Sequence, residues 1–256
     1  MNPIIESLRQ NASCADILKD VYGISSDEHF DAVFIAPSWA VEKVFDLNTD
    51  NVELAYQDQF SISHRITRGD KKYLYVRLDV GAPNIIDFCL SCYNLDCDKF
   101  VFVGAIGALV PGINVGDLFV PSAAISGNGA SLYLHEKLDS ANLFERTYSD
   151  KKLTDEIRAI CMELGLTAGD ALPISMDTLM CEYLHLDEFR DMGAQLIDME
   201  VATFLKAMSV IEKPASSVLI VSDNSASGEH LIGRSDEQRA KYHAVRARVR
   251  EILFHL

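Results

Sequence analysis

Two acidic stretches place carboxylates directly after apolar runs. In QLIDMEVATFLKAMSV, residues 195–210, Asp198 and Glu200 stand where a predicted strand gives way to a predicted helix. A carboxylate at Glu200 can accept two hydroxyl hydrogen bonds, which is how proteins commonly hold a ribose. Met199 offers an apolar wall under such a sugar. The alternative is a carboxylate that caps the helix, with Met199 in the core.

A further carboxylate, Asp223, follows the apolar stretch SVLIV and Ser222. A carboxyl group at this position can donate a proton to a leaving group if partial burial raises its pKa. A turn or helix cap within the Ser-Asp-Asn-Ser run is the alternative. The sequence leaves both possibilities open.

A glycine-rich stretch, VGAIGALVPGINVGD, follows the apolar run at 99–103. Glycines just past a strand permit close approach of the backbone to a ligand. Gly104 and Gly107 do not form a dinucleotide fingerprint, because the third glycine is missing and no helix follows directly.

The elements that must position these groups alternate along the chain. We predict strands at 31–37, 73–81, 99–107, 116–126, 170–176, 194–199 and 216–223, and helices at 2–20, 39–46, 84–96, 151–165, 187–192, 200–212 and 235–254. This alternation predicts a single α/β domain over 1–256, with residues 1–28 as an N-terminal helical extension. Ligands bind at the carboxyl ends of strands in such sheets, and the three acidic and glycine-rich stretches lie at such ends.

Composition narrows the functional classes. The 256 residues carry a formal net charge of −15, which argues against a nucleic-acid partner, because phosphate neutralisation requires Lys and Arg. No apolar run approaches the roughly 20 residues of a membrane span, and the N-terminus lacks the layout of a secretory signal. We therefore expect a cytoplasmic protein with no membrane partner.

Two other clusters receive ordinary explanations. Cys89 and Cys92 have the spacing of a metal pair, but they lie in an apolar helix-like stretch without a second pair, so we expect reduced buried thiols and no metal. The basic residues Arg239, Lys241, Arg246, Arg248 and Arg250 are expected to form a solvated face of a terminal helix.

Together these stretches resemble the nucleoside phosphorylase family of purine nucleoside and uridine phosphorylases and related nucleosidases. The resemblance is carried by VGAIGALVPGINVGDLFVP (103–121), MGAQLIDMEVATFLKAM (192–208) and VLIVSDN (218–224), and more faintly by DVGAPN (79–84) and SMDT (175–178). It implies a single α/β domain around a twisted mixed sheet flanked by helices. It also implies a homo-oligomer, either a dimer or a trimer of dimers.

The resemblance implies a role for each matching position. Glu200 would bind the ribose 2′- and 3′-hydroxyls, and Asp223 would be the acid that assists departure of a purine base, paired with Arg234 during proton transfer. The other implied substrate-binding residues are Met199, Asp198, Ile197, Ser222, Val80, Gly104, Ala105, Met176 and His230. The implied reaction cleaves an N-glycosidic bond through an oxocarbenium-like sugar. It needs no cofactor, but inorganic phosphate is a possible co-substrate.

The chain departs from the family at the phosphate site. Family phosphorylases have a Gly-Asp-Pro turn followed by Arg, whereas this chain reads APSWAVEK at 36–43 with Val41 at the arginine position. Phe102 replaces a second Arg, and Ala105 replaces a hydroxyl residue. Losing even two charge-assisted hydrogen bonds of about 1.5–3 kcal/mol each weakens phosphate binding by about two to four orders of magnitude.

Three possibilities therefore remain open. The first is a nucleosidase that uses water, held by Glu28, Asp79 or Glu200. The second is a phosphorylase with a rebuilt anion site made from Arg65, Arg68, Arg77 or His64. The third is a non-catalytic nucleoside-binding protein. A purine is favoured by Asp223 and by the absence of the pyrimidine-specific Gln-x-Arg motif from 177–188.

Overall fold

The computed structural model describes residues 2–11 and 14–256. The helices are α1 (Pro3–Asn11), α2 (Cys14–Tyr22), α3 (Ala82–Ser91), α4 (Lys151–Glu163), α5 (Leu186–Asp191), α6 (Val201–Val210) and α7 (Asp236–Leu253). The strands are β1 (His29–Phe30), β2 (Ala32–Ile35), β3 (Asn51–Gln57), β4 (Ser61–Arg68), β5 (Lys71–Leu78), β6 (Asp96–Cys97), β7 (Phe100–Ala108), β8 (Leu118–Phe119), β9 (Ala123–Ser126), β10 (Arg146–Tyr148), β11 (Ala168–Gly169), β12 (Pro173–Ser175), β13 (Leu196–Asp198) and β14 (Ala215–Asn224).

A large mixed sheet forms the centre of the molecule, in the order β10-β9-β12-β13-β7-β2-β5-β4-β3, with β14 paired to β7 and β8. β7 is parallel to β2 and β14 and antiparallel to β13. The nearly unbroken apolar sequences of β7 and β14 suit strands that are covered on both faces. The predicted α/β fold with a mixed sheet is confirmed.

Helices cover both faces of this sheet. One apolar cluster joins it to α1, α2, α3 and α6, and another joins it to α4 and α7. Ile5, Leu18 and Tyr22 are buried in the first cluster, so the N-terminal segment packs on the core. Across the described residues, no helix is both long and apolar enough to cross a membrane.

Several predicted elements differ from the observed ones. The helix expected at 2–20 is two helices, and its positions 12 and 13 lie outside the described residues. The helix expected at 39–46 is only one 3₁₀ turn, Val41–Lys43. The strand expected at 116–126 is two short strands, β8 and β9. The antiparallel pair β3–β4 was not predicted, because β3 faces solvent along much of its length and lacks a regular apolar alternation.

The glycine-rich stretch begins inside β7, within the strand predicted at 99–107. β7 continues through Gly104 and Gly107 to Ala108, because β14 pairs with it along that whole length. These two glycines are therefore inside the central strand and not in a turn after it. β13 runs antiparallel beside them, with Ile197 opposite Gly107, so the acidic end of β13 lies next to the middle of β7.

Candidate functional site

A cavity of about 630 Å³ opens where the end of β13, the middle of β7 and the end of β14 meet. Its lining includes all of the predicted site residues except Met176. The structure thus brings together Asp223, Arg234, Glu200, Met199, Asp198, Ile197, Ser222, Val80, Gly104, Ala105 and His230.

Glu200 lies between β13 and α6 and is only 6% exposed. Its Oε1 accepts a hydrogen bond of 2.7 Å from the backbone N–H of Gly81. Gly81 has a φ of 119°, a conformation that residues with a Cβ rarely adopt, so glycine is needed to bring this N–H to the carboxyl. Burial, followed by the charge of Asp198, raises the pKa of Glu200 to about 8.

Asp198 holds the start of α6 in place. Its Oδ2 accepts hydrogen bonds from the N–H groups of Glu200 and Val201 at 3.0 and 2.7 Å. Its Oδ1 accepts one from the Ser175 hydroxyl at 2.6 Å, and the Ser175 oxygen in turn accepts the N–H of Ala202 at 2.9 Å. Although Asp198 borders the cavity, both carboxylate oxygens are used within the protein. Asp198 therefore orients Glu200, whose carboxyl group lines the cavity.

Asp223 is positioned by an irregularity in β14. The pairing with β7 shifts between Val221 and Asp223, which marks Ser222 as the extra residue of a β-bulge. The Ser222 hydroxyl lies 2.5 Å from Asp223 Oδ1 and 3.2 Å from the carbonyl oxygen of Ile106. Burial raises the pKa of Asp223, while the Ser222 hydrogen bond and the charges of Arg234 and His230 oppose that rise.

Glu182 is a site residue that was not predicted. It lies on the 3₁₀ turn Glu182–Leu184, is 7% exposed and lines the same cavity. Burial, followed by the charge of Asp223, raises its pKa to about 7. No sequence signal identified it, because a single acid in a loop outside the recognised motifs is ordinary, and only the fold brings it near Asp223.

Arg234 and His230 follow β14 on the loop that borders the cavity. Arg234 Nη1 donates to the carbonyl oxygen of Ser222 at 3.1 Å, so it lies near Asp223 without bonding to its carboxylate. The predicted pairing of Arg234 with Asp223 during proton transfer stays a prediction. The His230 ring lies 6.5 Å from the ring of Tyr183, which also lines the cavity.

Met176 is the predicted site residue that does not reach the cavity. It packs against a separate apolar cluster beside Ile174 and Phe189. Because neighbouring side chains of an extended segment point to opposite sides, Ser175 faces Asp198 while Met176 points away.

Aromatic rings lie where the resemblance places the phosphate site, with Trp39 in the turn before Val41 and Phe102 at the position of the second arginine. Trp39 is 3% exposed and packs edge-on against Tyr242, with ring centroids 6.4 Å apart. Phe102 lies against Phe204 at 5.6 Å. Both Trp39 and Phe102 line the cavity. The part of the cavity that is predicted to differ from an ordinary phosphate site is therefore lined by aromatic rings.

The cations proposed for a rebuilt anion site lie elsewhere. Arg65 forms a two-pronged pair with Glu28, at 2.7 Å for both contacts, and donates to the carbonyl of Gly23. The Arg68 guanidinium stacks 4.5 Å from the Phe254 ring centroid. None of Arg65, Arg68, Arg77 and His64 lines the cavity, nor do Glu28 and Asp79, which leaves Glu200 as the water-holding candidate there.

Two groups of residues with the side chains of metal ligands lie away from the cavity. Cys89 and Cys92 are free and buried in an apolar cluster, and burial raises the pKa of both thiols. His29, Asp31 and Asp98 have ligand atoms within 4.8 Å of one another at the surface. The Asp31 carboxylate already accepts the Lys72 N–H at 2.8 Å.

Comparison with known proteins identifies the family of the chain. The family model of the phosphorylase superfamily matches residues 42–256. Uridine phosphorylase of Escherichia coli K12 is 26% identical over 180 residues, covering 64% of this chain and 68% of the relative. Uridine phosphorylase of Klebsiella aerogenes is 25% identical over 180 residues with the same coverage. With most of its length matched by that family model, the chain belongs to the phosphorylase superfamily.

Proposed function

We propose that this protein cleaves the N-glycosidic bond of a nucleoside and transfers the pentosyl group to phosphate or water. One observation carries the proposal: the buried carboxyl of Glu200 and the half-buried carboxyl of Asp223 line the same cavity, in a chain of the phosphorylase superfamily. Its volume of about 630 Å³ is within the usual range for small-molecule sites.

Glu200 would bind the sugar. Its raised pKa of about 8 leaves the empty site largely protonated at neutral pH, but two hydroxyl donors favour the charged form. The resulting carboxylate stabilises positive charge that develops on the sugar. Met199 and Val80, which line the cavity, would contact the apolar faces of the pentose.

Asp223 would act at the base. As the bond between C1′ and the base nitrogen breaks, its electron pair stays on the base, and the Asp223 carboxyl supplies the proton. The oxygen of phosphate or water then bonds to C1′. Glu182, with a pKa of about 7, is a second carboxyl with a raised pKa at this end of the cavity, which we call the base end.

The class of base has two candidates. Purine nucleosides are favoured because a protonated Asp223 can donate to a ring nitrogen, and because 177–188 lacks Gln-x-Arg. Pyrimidine nucleosides are favoured by the relatives, which are named uridine phosphorylases.

Two alternatives to phosphorolysis are a nucleosidase that uses water alone and a non-catalytic nucleoside-binding protein.

A nucleoside panel tests the proposal. Inosine, adenosine, guanosine, uridine, cytidine and thymidine are incubated with the protein, with and without phosphate, and the free base is measured by chromatography. We expect base release from at least one class. Thermal stabilisation by a nucleoside, with no free base released from any of them, would show that the protein binds nucleosides and does not cleave them.

A further inference from the structure

Four basic side chains line one part of the cavity: Lys43, Arg234, His243 and Arg246, here called the cationic wall. Two belong to α7, one to the 3₁₀ turn Val41–Lys43 and one to the loop before α7. The sequence predicted Arg246 on a solvated helix face. In the structure α7 packs on the sheet, so this arginine reaches the cavity instead.

These cations lie close to one another. The pKa of His243 is lowered by burial and then by the charges of Arg246, Arg234 and Lys43. The Arg234 and Arg246 guanidinium carbons lie 5.2 and 5.5 Å from the centroid of the Tyr242 ring. Tyr242 thus brings two guanidinium groups to the same aromatic surface.

Among the described residues, the members of the cationic wall form no direct ion pair, although the charge of Arg234 acts on Asp223. Across residues 2–11 and 14–256, none of its four members is within ion-pairing distance of a carboxylate, although the chain carries a net charge of −15. Many arginines elsewhere are paired, as Arg158 is with Asp170 and Arg248 with Glu251. Grouped cations without counter-charges favour an anionic ligand.

Arg246 gives this wall a specific geometry. Its guanidinium lies 5.9 Å from the Trp39 ring centroid, at the aromatic surface that replaces the family's phosphate ligands. The Nε of Arg246 is buried, and no hydrogen-bond partner for it is found among the described residues. A buried donor without a partner costs free energy that an anion with several acceptor oxygens can recover.

We propose that the cationic wall binds a phosphate-type dianion, with Arg246 as its principal ligand. The inference rests on the proposed function, since it supplies the phosphate that glycosidic-bond cleavage by this family uses. The wall and the acidic residues Glu200 and Asp223 line the same cavity, so the anion and a nucleoside can share it. The phosphate has two possible sources: inorganic phosphate as co-substrate, or a phosphate ester on the substrate itself.

Binding of inorganic phosphate alone tests the site. Titration calorimetry on the full-length protein is done for the wild type, Arg246→Gln and the matched control Arg248→Gln. Removing one charge-assisted contact should weaken phosphate binding by about 10- to 100-fold in Arg246→Gln. Arg248→Gln, which changes a residue of the same helix that pairs with Glu251, should bind as the wild type does.

Exposed Lys43 provides a second variant whose folding is not in question. Lys43→Gln should weaken phosphate binding less than Arg246→Gln does, and circular dichroism should show both variants folded. Absence of phosphate binding to the wild type, or equal binding by wild type and Arg246→Gln, would overturn the proposal.

Two activity arms then distinguish the phosphate sources. Base release from nucleosides only when phosphate is added identifies inorganic phosphate, and base release from nucleoside 5′-monophosphates in phosphate-free buffer identifies the ester. If the wild type and Arg246→Gln release base equally with either source of phosphate, that result would reject phosphate binding by the cationic wall and leave the proposed function standing. Phosphate binding that depends on Arg246, without base release from any substrate, would reject the proposed function and leave the anion site standing.

Discussion

Asp223 and Glu182 stand at the base end of the cavity with raised pKa values, for the same principal reason. Each carboxyl is withdrawn from water, and burial disfavours its charged form. A pair of neighbouring acids whose pKa values are raised suits a leaving group that departs with extra electron density, because each holds its proton to a higher pH than an exposed carboxyl does.

Replacing Asp223 with Asn removes the proposed proton donor and keeps the shape of the side chain. We expect kcat for nucleoside cleavage to fall by about 10²- to 10⁴-fold, with the nucleoside Kd changed little, because Glu200 still binds the sugar. Steady-state kinetics and titration calorimetry measure the two effects. The surface variant Asp170→Asn is the control, and an unaltered kcat in Asp223→Asn would dismiss this residue as the acid.

Glu182 predicts a pH dependence. Its pKa of about 7 means that the proton is present below pH 7 and is lost as the pH rises through that value. If this carboxyl donates toward the base, kcat should decline from pH 6 to pH 8, and Glu182→Gln should remove that decline. A pH profile of kcat checks this, and the same decline in wild type and variant would show that another group is responsible.

At the scale of elements, three junctions determine the site. The turn at Gly81 donates to Glu200, the end of β13 caps α6 through Asp198, and the bulge of β14 places Asp223. Each junction uses backbone geometry to aim a side chain, which is more rigid than a contact between flexible side chains.

Gly81→Ala tests the first junction. Its φ of 119° is strained for alanine, so we expect a loss of about 1–3 kcal/mol in the free energy of unfolding. Nucleoside affinity should fall as well, because the N–H bonded to Glu200 is displaced. Gly69→Ala is the control: Gly69 has a φ of 60° in the turn between β4 and β5, away from the cavity lining. It should lose stability and keep affinity, whereas equal affinities in both variants would contradict the role of Gly81.

The sequence predicted the elements with the strongest periodicity and missed those defined by contacts far along the chain. β7, β14 and α6 were identified because long apolar runs and helix formers mark them. Met176 was misplaced because a family likeness does not reveal which side of an extended segment a residue faces. Glu182 and Arg246 were missed as site residues because only tertiary packing brings the loop at 177–185 and a C-terminal helix to this cavity.

At the scale of the whole molecule, buried acids affect stability. Glu200 and Glu182 have pKa values of about 8 and 7 when folded, against an ordinary value of 4.5. Between pH 5 and 8 the folded state therefore holds more protons at these two groups than the unfolded state does, and their contribution to stability falls as the pH rises. The pKa of half-buried His64 is lowered by burial, so its contribution to stability rises with pH.

A comparison of variants separates these contributions. The double variant Glu182→Gln/Glu200→Gln should gain stability relative to the wild type as the pH rises from 5 to 8, by an amount on the order of a few kcal/mol. Urea denaturation at both pH values measures this difference. The exposed Glu163→Gln should show no such gain, and a constant difference in the double variant would mean that both acids are ionised in the folded protein.

The bulge in β14 makes the position of one acid depend on the number of residues in the strand. Side chains of a regular strand alternate between faces, and Ser222 is the residue that interrupts this count before Asp223. In a regular strand Asp223, two residues after Val221, would lie on the same face of the sheet as Val221, whereas the bulge places its carboxyl on the face of Gly107. Insertions and deletions in this strand would therefore damage the proposed chemistry more than exchanges among its apolar residues would.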